Sequence, residues 1–274
     1  MGSFRKPPRL FRPPLHYPEY PFHGLLRTPA QRFPDRVALV EGETELTFRE
    51  MECLSNACAH ALRAAGVEKG DRVALFLPNS AEFEIVFFAG SMAGAVMTPL
   101  NPSYKESEAQ YQLKDSGAKL LVTDAEHLPL VEAIRKKLPD LQEVIVTGEG
   151  AAGHPRFSDW VLAHPPSPPP EIPIDQAEDL VALPYSSGTT GFPKGVMLTH
   201  RNLVTNYHMF IANNRITEDD VGLVFLPLYH ISGAMLMGGF SCAGARQILM
   251  PRFELEESLR LVEKHRITLF FAVP

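Results

Sequence analysis

A chain of 274 residues, with 45% apolar and 21% charged side chains, has material for a sizeable core in one or two domains. Its formal charge of −6 argues against the basic footprint that nucleic acid demands. Cys53, Cys58 and Cys242 form no metal-ligand or CxxC spacing, and their odd number reads as reduced, mostly buried thiols in the cytoplasm.

Residues 1–30 form a proline-rich lead. Arg5, Lys6, Arg9 and Arg12 precede no apolar stretch, and Pro7, Pro8, Pro13 and Pro14 forbid a targeting helix, so the segment is no secretory signal. Lys6 stands where a myristoylation signal wants Ser or Thr. An organelle address and peripheral membrane association stay open.

Residues 31–150 read as a first α/β region. A strand at 37–40 leads to a capping box of Thr47 and Glu50, then Met51, Leu54, Cys58, Ala61, Leu62 and Ala65 at helical spacing, stopped by Gly66. A strand is expected at 72–77 and a helix capped by Ser80 through Phe83 and Phe87. A strand at 95–99, a helix at 105–115, a strand at 119–123, a helix at 126–137 and a strand at 143–147 complete the region. Strands separated by helices of this length imply crossover units and a largely parallel sheet.

Residues 151–178 form a connector whose core, 155–173, contains Pro165-Pro166-Ser167-Pro168-Pro169-Pro170 and is expected to run as a stiff surface segment outside any helix or sheet interior. Alternation resumes over 179–274. Strands are expected at 180–184, 196–198 and 221–226, with a helix from about 202 between the last two. Ile248 belongs to a further strand. A helix at 254–265 aligns Leu255, Leu259 and Val262, and an apolar strand closes the chain at 267–273. Between Val221 and Ala245 there is no Asp, Glu, Lys or Arg. That run could span a bilayer, but Pro227, His230, Ser232, Ser241 and its glycines fit a buried strand, loop and small-residue helix better. A transmembrane segment is rejected.

The chemistry concentrates in Tyr185-Ser186-Ser187-Gly188-Thr189-Thr190-Gly191-Phe192-Pro193-Lys194-Gly195. Glycines that permit positive φ turn backbone N–H groups toward one point, hydroxyls add donors, and Lys194 adds a compact positive charge. Such a loop suits polyphosphate. The competing reading is an ordinary polar turn. A Walker loop does not fit, because Pro193 replaces its second glycine, Gly195 replaces its Ser/Thr, and a strand rather than a helix follows.

With the continuation Val196-Met197-Leu198-Thr199-His200-Arg201-Asn202-Leu203, this stretch resembles the AMP-binding signature of the adenylate-forming superfamily, which includes acyl-CoA synthetases, aryl-CoA ligases and peptide-synthetase adenylation domains. Leu46-Thr47-Phe48-Arg49-Glu50, the segment from Ala93 through Pro102, and Leu226-Pro227-Leu228-Tyr229-His230 resemble three further motifs of that group, in the same order. The resemblance implies an α/β fold of largely parallel sheets with helices on both faces. It also implies that this chain is the N-terminal part of an adenylate-forming domain, truncated before the family's adenine-stacking aromatic, magnesium-binding glutamate, ribose-binding aspartate and lysine-bearing C-terminal domain.

What the resemblance implies for function is ATP-dependent activation of a carboxylic acid to acyl-AMP and then acyl-CoA, with ATP, Mg²⁺ and coenzyme A taking part. It implies that Ser186, Ser187, Gly188, Thr189, Thr190, Gly191 and Lys194 hold the phosphates. Thr190, Lys194 and His230 are the expected catalytic residues, His230 and Ser232 the expected neighbours of the acid, and no metal ligand is assigned to this chain. His230 is read as ending a strand, where α/β proteins place ligands; the competing reading is a hydrogen-bonded core histidine. Arg252 matches a basic residue near the coenzyme A phosphates less well than it matches a solvated arginine ahead of a helix. Ser232 stands where plant hydroxycinnamate ligases commonly carry a tyrosine, and Ala234-Met235-Leu236-Met237 is apolar and adaptable, which leans toward a fatty acid. The chain alone is expected to be inactive, with its C-terminal strand edge open to pairing. Two other readings stand beside this one: a non-catalytic nucleotide-binding or interaction protein, and an amino-acid adenylation domain.

Overall fold

The computed structural model describes residues 17–151, 153–186 and 193–272. Helix α1 (Gly24–Arg32) leads into β1 (Val37–Glu41), β2 (Thr44–Thr47) and α2 (Phe48–Ala64). Next come β3 (Arg72–Phe76), α3 (Ala81–Ala93), β4 (Val96–Pro99), α4 (Glu106–Ser116), β5 (Ala118–Asp124), α5 (Leu128–Ile134) with a 3₁₀ turn at Arg135–Lys137, and β6 (Glu143–Thr147). Then follow α6 (Phe157–Leu162), β7 (Leu180–Ala182), β8 (Tyr185–Ser186), β9 (Lys194–Gly195), β10 (Leu198–Thr199) and α7 (His200–Asn214). The last elements are β11 (Val221–Val224), α8 (Ile231–Ala243), β12 (Arg246–Leu249), α9 (Leu255–His265) and β13 (Leu269–Phe270).

Two larger sheets result, in the orders β13-β11-β12-β1-β2 and β10-β7-β4-β3-β5-β6, with β8 and β9 as a separate hairpin. Pairing is parallel throughout, except for β1 with β2, β7 with β10 and β8 with β9. Each larger sheet draws strands from both sides of the proline-rich connector. The period-2 alternation of a strand explains why helices cover both faces of the second sheet. Val73 and Leu75 of β3 enter a core with α2 and α3, whereas Ala74 and Phe76 enter one with α4 and α5. The first of these cores also takes Leu39, Leu223 and Ile248 from the other sheet, so α2 and α3 are shared between the sheets.

Local signals place the helices. Thr47 Oγ1 accepts the Glu50 N–H at 3.2 Å while a Glu50 carboxylate oxygen accepts the Thr47 N–H at 2.8 Å, the expected capping box at the start of α2. Ser80 caps α3 as expected, and Thr199 with Asn202 forms a second reciprocal pair at α7. The charge-free run resolves into β11, a loop and α8. Among the described residues, no helix is long and apolar enough to cross a membrane.

Several expectations need correction. The lead segment runs into α1, which starts at Gly24, ends at Arg32 and carries Pro29 inside it. The connector contains α6, which buries Phe157 and Val161, and its proline run is pinned by Asn56 Nδ2 donating to the Pro166 carbonyl at 3.1 Å and Lys69 Nζ donating to the Pro173 carbonyl at 2.8 Å. The run itself stays at the surface as expected, with Pro169 buried and Pro165, Pro166, Ser167, Pro168 and Pro170 exposed. The strand expected at 196–198 is split, because Val196 and Met197 lie between β9 and β10. In α9 the buried side is Ser258, Leu261 and His265, while Leu255 and Leu259 are 61% and 62% exposed. Of the three thiols, Cys58 is buried and Cys53 and Cys242 are half-buried.

Two helices end on arginines in the left-handed region, Arg215 at φ 55° and Arg266 at φ 52°. A side chain there costs energy that glycine avoids. Arg215→Gly and Arg266→Gly should each add up to about 1 kcal/mol of stability, or roughly 2–4 °C in Tm by calorimetry. A lower Tm in both would show that the arginine side chains offset the strain.

Candidate functional site

The described flanks of the glycine-rich stretch form the β8–β9 hairpin, with Tyr185 opposite Gly195 and Ser186 opposite Lys194. Lys194 therefore lies in a strand and not at the start of a helix, in agreement with the rejection of a Walker loop. Both Ser186 and Lys194 are exposed. The hairpin is anchored behind them, where Tyr185 Oη donates to Asp115 Oδ2 of α4 at 2.6 Å and the Val196 N–H donates to the Pro184 carbonyl at 2.8 Å. Burial, then the adjacent carboxylate, push the Tyr185 phenol well above its ordinary pKa, so it stays a donor. Neither anchor was visible in the sequence, since Tyr185 and Asp115 are 70 positions apart. Ser187, Gly188, Thr189, Thr190 and Gly191 lie outside the described residues.

His230 occupies a different place from the one expected. β11 stops at Val224, and His230 is the N-cap of α8 rather than the end of a strand. The chain turns here because the His230 N–H donates to the Pro227 carbonyl at 3.0 Å. Gly233 is required beside that turn, since a Cβ on it would collide with the Pro227 backbone carbonyl. His230 Nδ1 accepts the Ser232 backbone N–H at 3.2 Å and lies 2.8 Å from Ser232 Oγ. Accepting at Nδ1 leaves the proton of the neutral ring on Nε2. His230 is exposed, which sets aside the core-histidine reading.

Ser232 is thus held by His230 and shapes the N-cap. In the Ala234-Met235-Leu236-Met237 run only Met235 is half-buried. Ala234, Leu236 and Met237 are buried in the core of α8, because a helix with little polar surface must bury most of its circumference. By contrast, His200 is a structural residue: it is 1% exposed, its Nδ1 accepts the Phe22 N–H at 3.0 Å, and burial lowers its pKa to about 4. His23, half-buried, hydrogen-bonds Ser91, and burial lowers its pKa to about 3.

The C-terminal ends of β3, β11 and β12 meet at Asn79, which is 4% exposed. Its Nδ2 donates to the carbonyls of Leu226 and Met250, both at 3.1 Å, and its Oδ1 accepts the Leu228 N–H at 2.7 Å. Beyond Met250, the exposed Arg252 lines a cavity of about 410 Å³ with Val40, Ile248, Met250 and Leu261. Among the described residues, no hydrogen bond joins the hairpin to the His230 turn. The structure therefore brings Ser186 to Lys194 and His230 to Ser232 as two separate pairs.

Ser186 offers a hydroxyl donor and Lys194 a positive charge, a combination that suits an anion. The model of the AMP-binding enzyme family matches residues 26–274. The chain is 40% identical over 269 residues to 4-coumarate–CoA ligase 5 of Oryza sativa subsp. japonica, covering 95% of this chain and 47% of the rice protein. Among solved structures, a long-chain-fatty-acid–CoA ligase from Archaeoglobus fulgidus superposes with TM-score 0.89 at 26% identity, covering 96% of this chain and 53% of the other. An anthranilate–CoA ligase in complex with anthranoyl-AMP superposes with TM-score 0.87 at 30% identity, covering 93% and 50%. This chain spans about half the length of the curated relatives it matches. With a mostly parallel α/β fold, the four motifs in order and a family match over nearly its whole length, the chain belongs to the AMP-binding enzyme family.

Proposed function

We propose that this chain supplies the phosphate-binding and acid-binding elements of an AMP-forming acid–thiol ligase, the activity named for its relatives. The observation that carries this reading is the Ser186–Lys194 pair, an exposed hydroxyl opposite an exposed ammonium on a hairpin braced from behind by Tyr185 and Asp115. ATP fits there because its phosphates accept hydrogen bonds and the pair offers donors. Ser187, Gly188, Thr189, Thr190 and Gly191 would add hydroxyls and backbone N–H groups from the same loop. ATP supplies the activated phosphorus that a carboxylate attacks, Mg²⁺ travels with the nucleotide, and coenzyme A accepts the acyl group. Lys194 would hold the departing pyrophosphate charge, and the Nε2–H of His230 would donate to a carboxylate oxygen of the acid.

The acid is left as a carboxylic acid. The lean toward a fatty acid loses one support with the burial of Leu236 and Met237. Relatives named for 4-coumarate, anthranilate and long-chain fatty acids make a panel of all three the direct test. Titration calorimetry of the 274-residue chain with Mg-ATP should show binding that Lys194→Ala weakens about tenfold, the worth of one charge-assisted contact. Unchanged affinity in Lys194→Ala would remove the phosphate assignment.

The chain alone is expected to release no pyrophosphate with any acid of that panel, since its named CoA-ligase relatives are about twice as long. A non-catalytic nucleotide-binding product is the second reading, and it would bind ATP with the same dependence on Lys194 but gain no turnover from any longer form.

We also propose pairing at the edge of the first sheet. Among the described residues β13 is bonded only to β11, and Phe270, Phe253, Leu255 and Leu259 are each about half exposed or more. Apolar edges of this kind associate. The chain should therefore run as an oligomer in light scattering; a monodisperse monomer with a cooperative melt would refute the pairing.

A further inference from the structure

The Leu226–His230 turn and the Met250–Arg252 loop leave neighbouring strands of one sheet, whereas Asn79 follows β3 of the other. One side chain joins all three. Both Nδ2 hydrogens are used, on the carbonyls of Leu226 and Met250, and Oδ1 takes the Leu228 N–H. The amide has only one workable orientation, because flipping it would set its oxygen against two carbonyl oxygens and its NH₂ against an N–H. No other residue type of this size offers two donors and one acceptor in that arrangement. Asn79 is also buried, so bulk water cannot replace the lost partners cheaply.

We propose that Asn79 is a positioning residue that sets the His230 turn and the Arg252 loop against the second sheet and yokes them, so that neither loop moves without the other. Its leverage on His230 is short. Leu228 is held by Oδ1, Pro227 accepts the His230 N–H, and Gly233 seats the first turn of α8 on the Pro227 carbonyl. The His230 ring is then aimed by its own bond to Ser232. The chain of contacts runs from a buried amide in the loop after β3 to an exposed imidazole at the N-cap of α8, through backbone atoms only until the last step. Its consequence for the reaction rests on the reading of His230 given above, whereas the yoke itself does not.

The test uses the 274-residue chain and needs no turnover. Amide hydrogen exchange and ring nitrogen–proton NMR are recorded for the parent chain and for Asn79→Ala and Asn79→Asp. In Asn79→Ala, exchange at Leu228 should accelerate at least tenfold. Peptides covering 224–232 and 249–254 should loosen together, while α3 and β5 keep their protection. The His230 ring signals should shift, and those of the buried His200 should stay. Asn79→Asp removes both donors and should loosen the same two loops, with more effect where the carboxylate is ionised. Loosening of only one loop overturns the yoke. Parallel loss of protection in α3 and β5 overturns it too, as a purely structural role would. His230→Ala serves as the separating control: it should leave exchange at Leu228 within twofold of the parent. If His230→Ala later proves silent in catalysis while Asn79→Ala loosens both loops, the function of His230 falls and the yoke stands.

Discussion

His230→Ala should slow adenylate formation about ten- to a hundredfold and raise the KM for the acid, with the KM for ATP within about twofold. The measurement requires an active polypeptide that carries these 274 residues. The magnitude follows from one charge-assisted hydrogen bond, roughly 1.5–3 kcal/mol, between Nε2–H and a carboxylate oxygen. Geometry supports the donor: Nδ1 is occupied by the Ser232 N–H, so in the neutral ring Nε2 carries the proton, on an exposed side chain. Lys194→Ala should do the reverse, weakening ATP and slowing pyrophosphate departure while leaving the acid terms alone. The two pairs belong to separate elements, β8–β9 and the N-cap of α8, so their effects should add. Kinetics with ATP and acid varied independently decide the matter. Equal rises in the ATP KM for both variants, with no change for the acid, would withdraw His230 from the acid side.

Much of this was legible because its causes are local. Capping pairs three residues apart, such as Thr47–Glu50 and Thr199–Asn202, announce helix starts without any tertiary information. Alternating elements with short loops imply a parallel sheet, and the glycine-rich stretch with its lysine is the local signal behind the phosphate proposal. What stayed hidden depends on partners far away in the chain. Asn79 looks like a loop residue until Leu226, Leu228 and Met250 close around it. Helices α1 and α6 sit among prolines, which mask a helical pattern that burial of Leu25, Leu26, Phe157 and Val161 nevertheless supports. In α9 the spacing of Leu255 and Leu259 is helical, but spacing does not say which stripe faces inward; Leu261 does. The run 234–237 was legible as part of a buried small-residue helix, because the charge-free stretch around it leaves little polar surface to face water.

Relative to Glu84→Gln, the parent chain should lose stability as pH rises from the ordinary carboxylate range to about 8. Glu84 of α3 is fully buried. Gln247 of β12 donates from Nε2 to Glu84 Oε2 at 3.2 Å and to Ser241 Oγ of α8 at 3.2 Å, while Glu84 Oε1 and Gln247 Oε1 each lack a partner. Two acceptors and no donor is a poor arrangement for a carboxylate, and a proton on Glu84 supplies the donor that the pair lacks. Burial pushes the Glu84 pKa up from 4.5 to about 8, against the lowering effect of the Gln247 bond and with help from the nearby Glu41 carboxylate. An acid whose folded pKa is raised contributes stability that is complete below about 4.5 and is lost as pH climbs toward 8. Within that window Glu84 by itself releases one proton on unfolding, so its contribution weakens the folding equilibrium roughly tenfold per pH unit relative to the glutamine variant. His23 and His200 act in the opposite sense. Held neutral by burial, they lend stability above their ordinary 6.5 and withdraw it as pH falls toward about 3 and 4. Comparison with Glu84→Gln isolates the acid, because glutamine keeps the shape, offers its own N–H₂ toward Gln247 and does not titrate. Denaturant midpoints of parent and variant should coincide near pH 5 and diverge steadily to pH 8, the variant being the more stable. Parallel curves across that range would mean that Glu84 is ionised in the core, with its charge met by a partner other than Gln247.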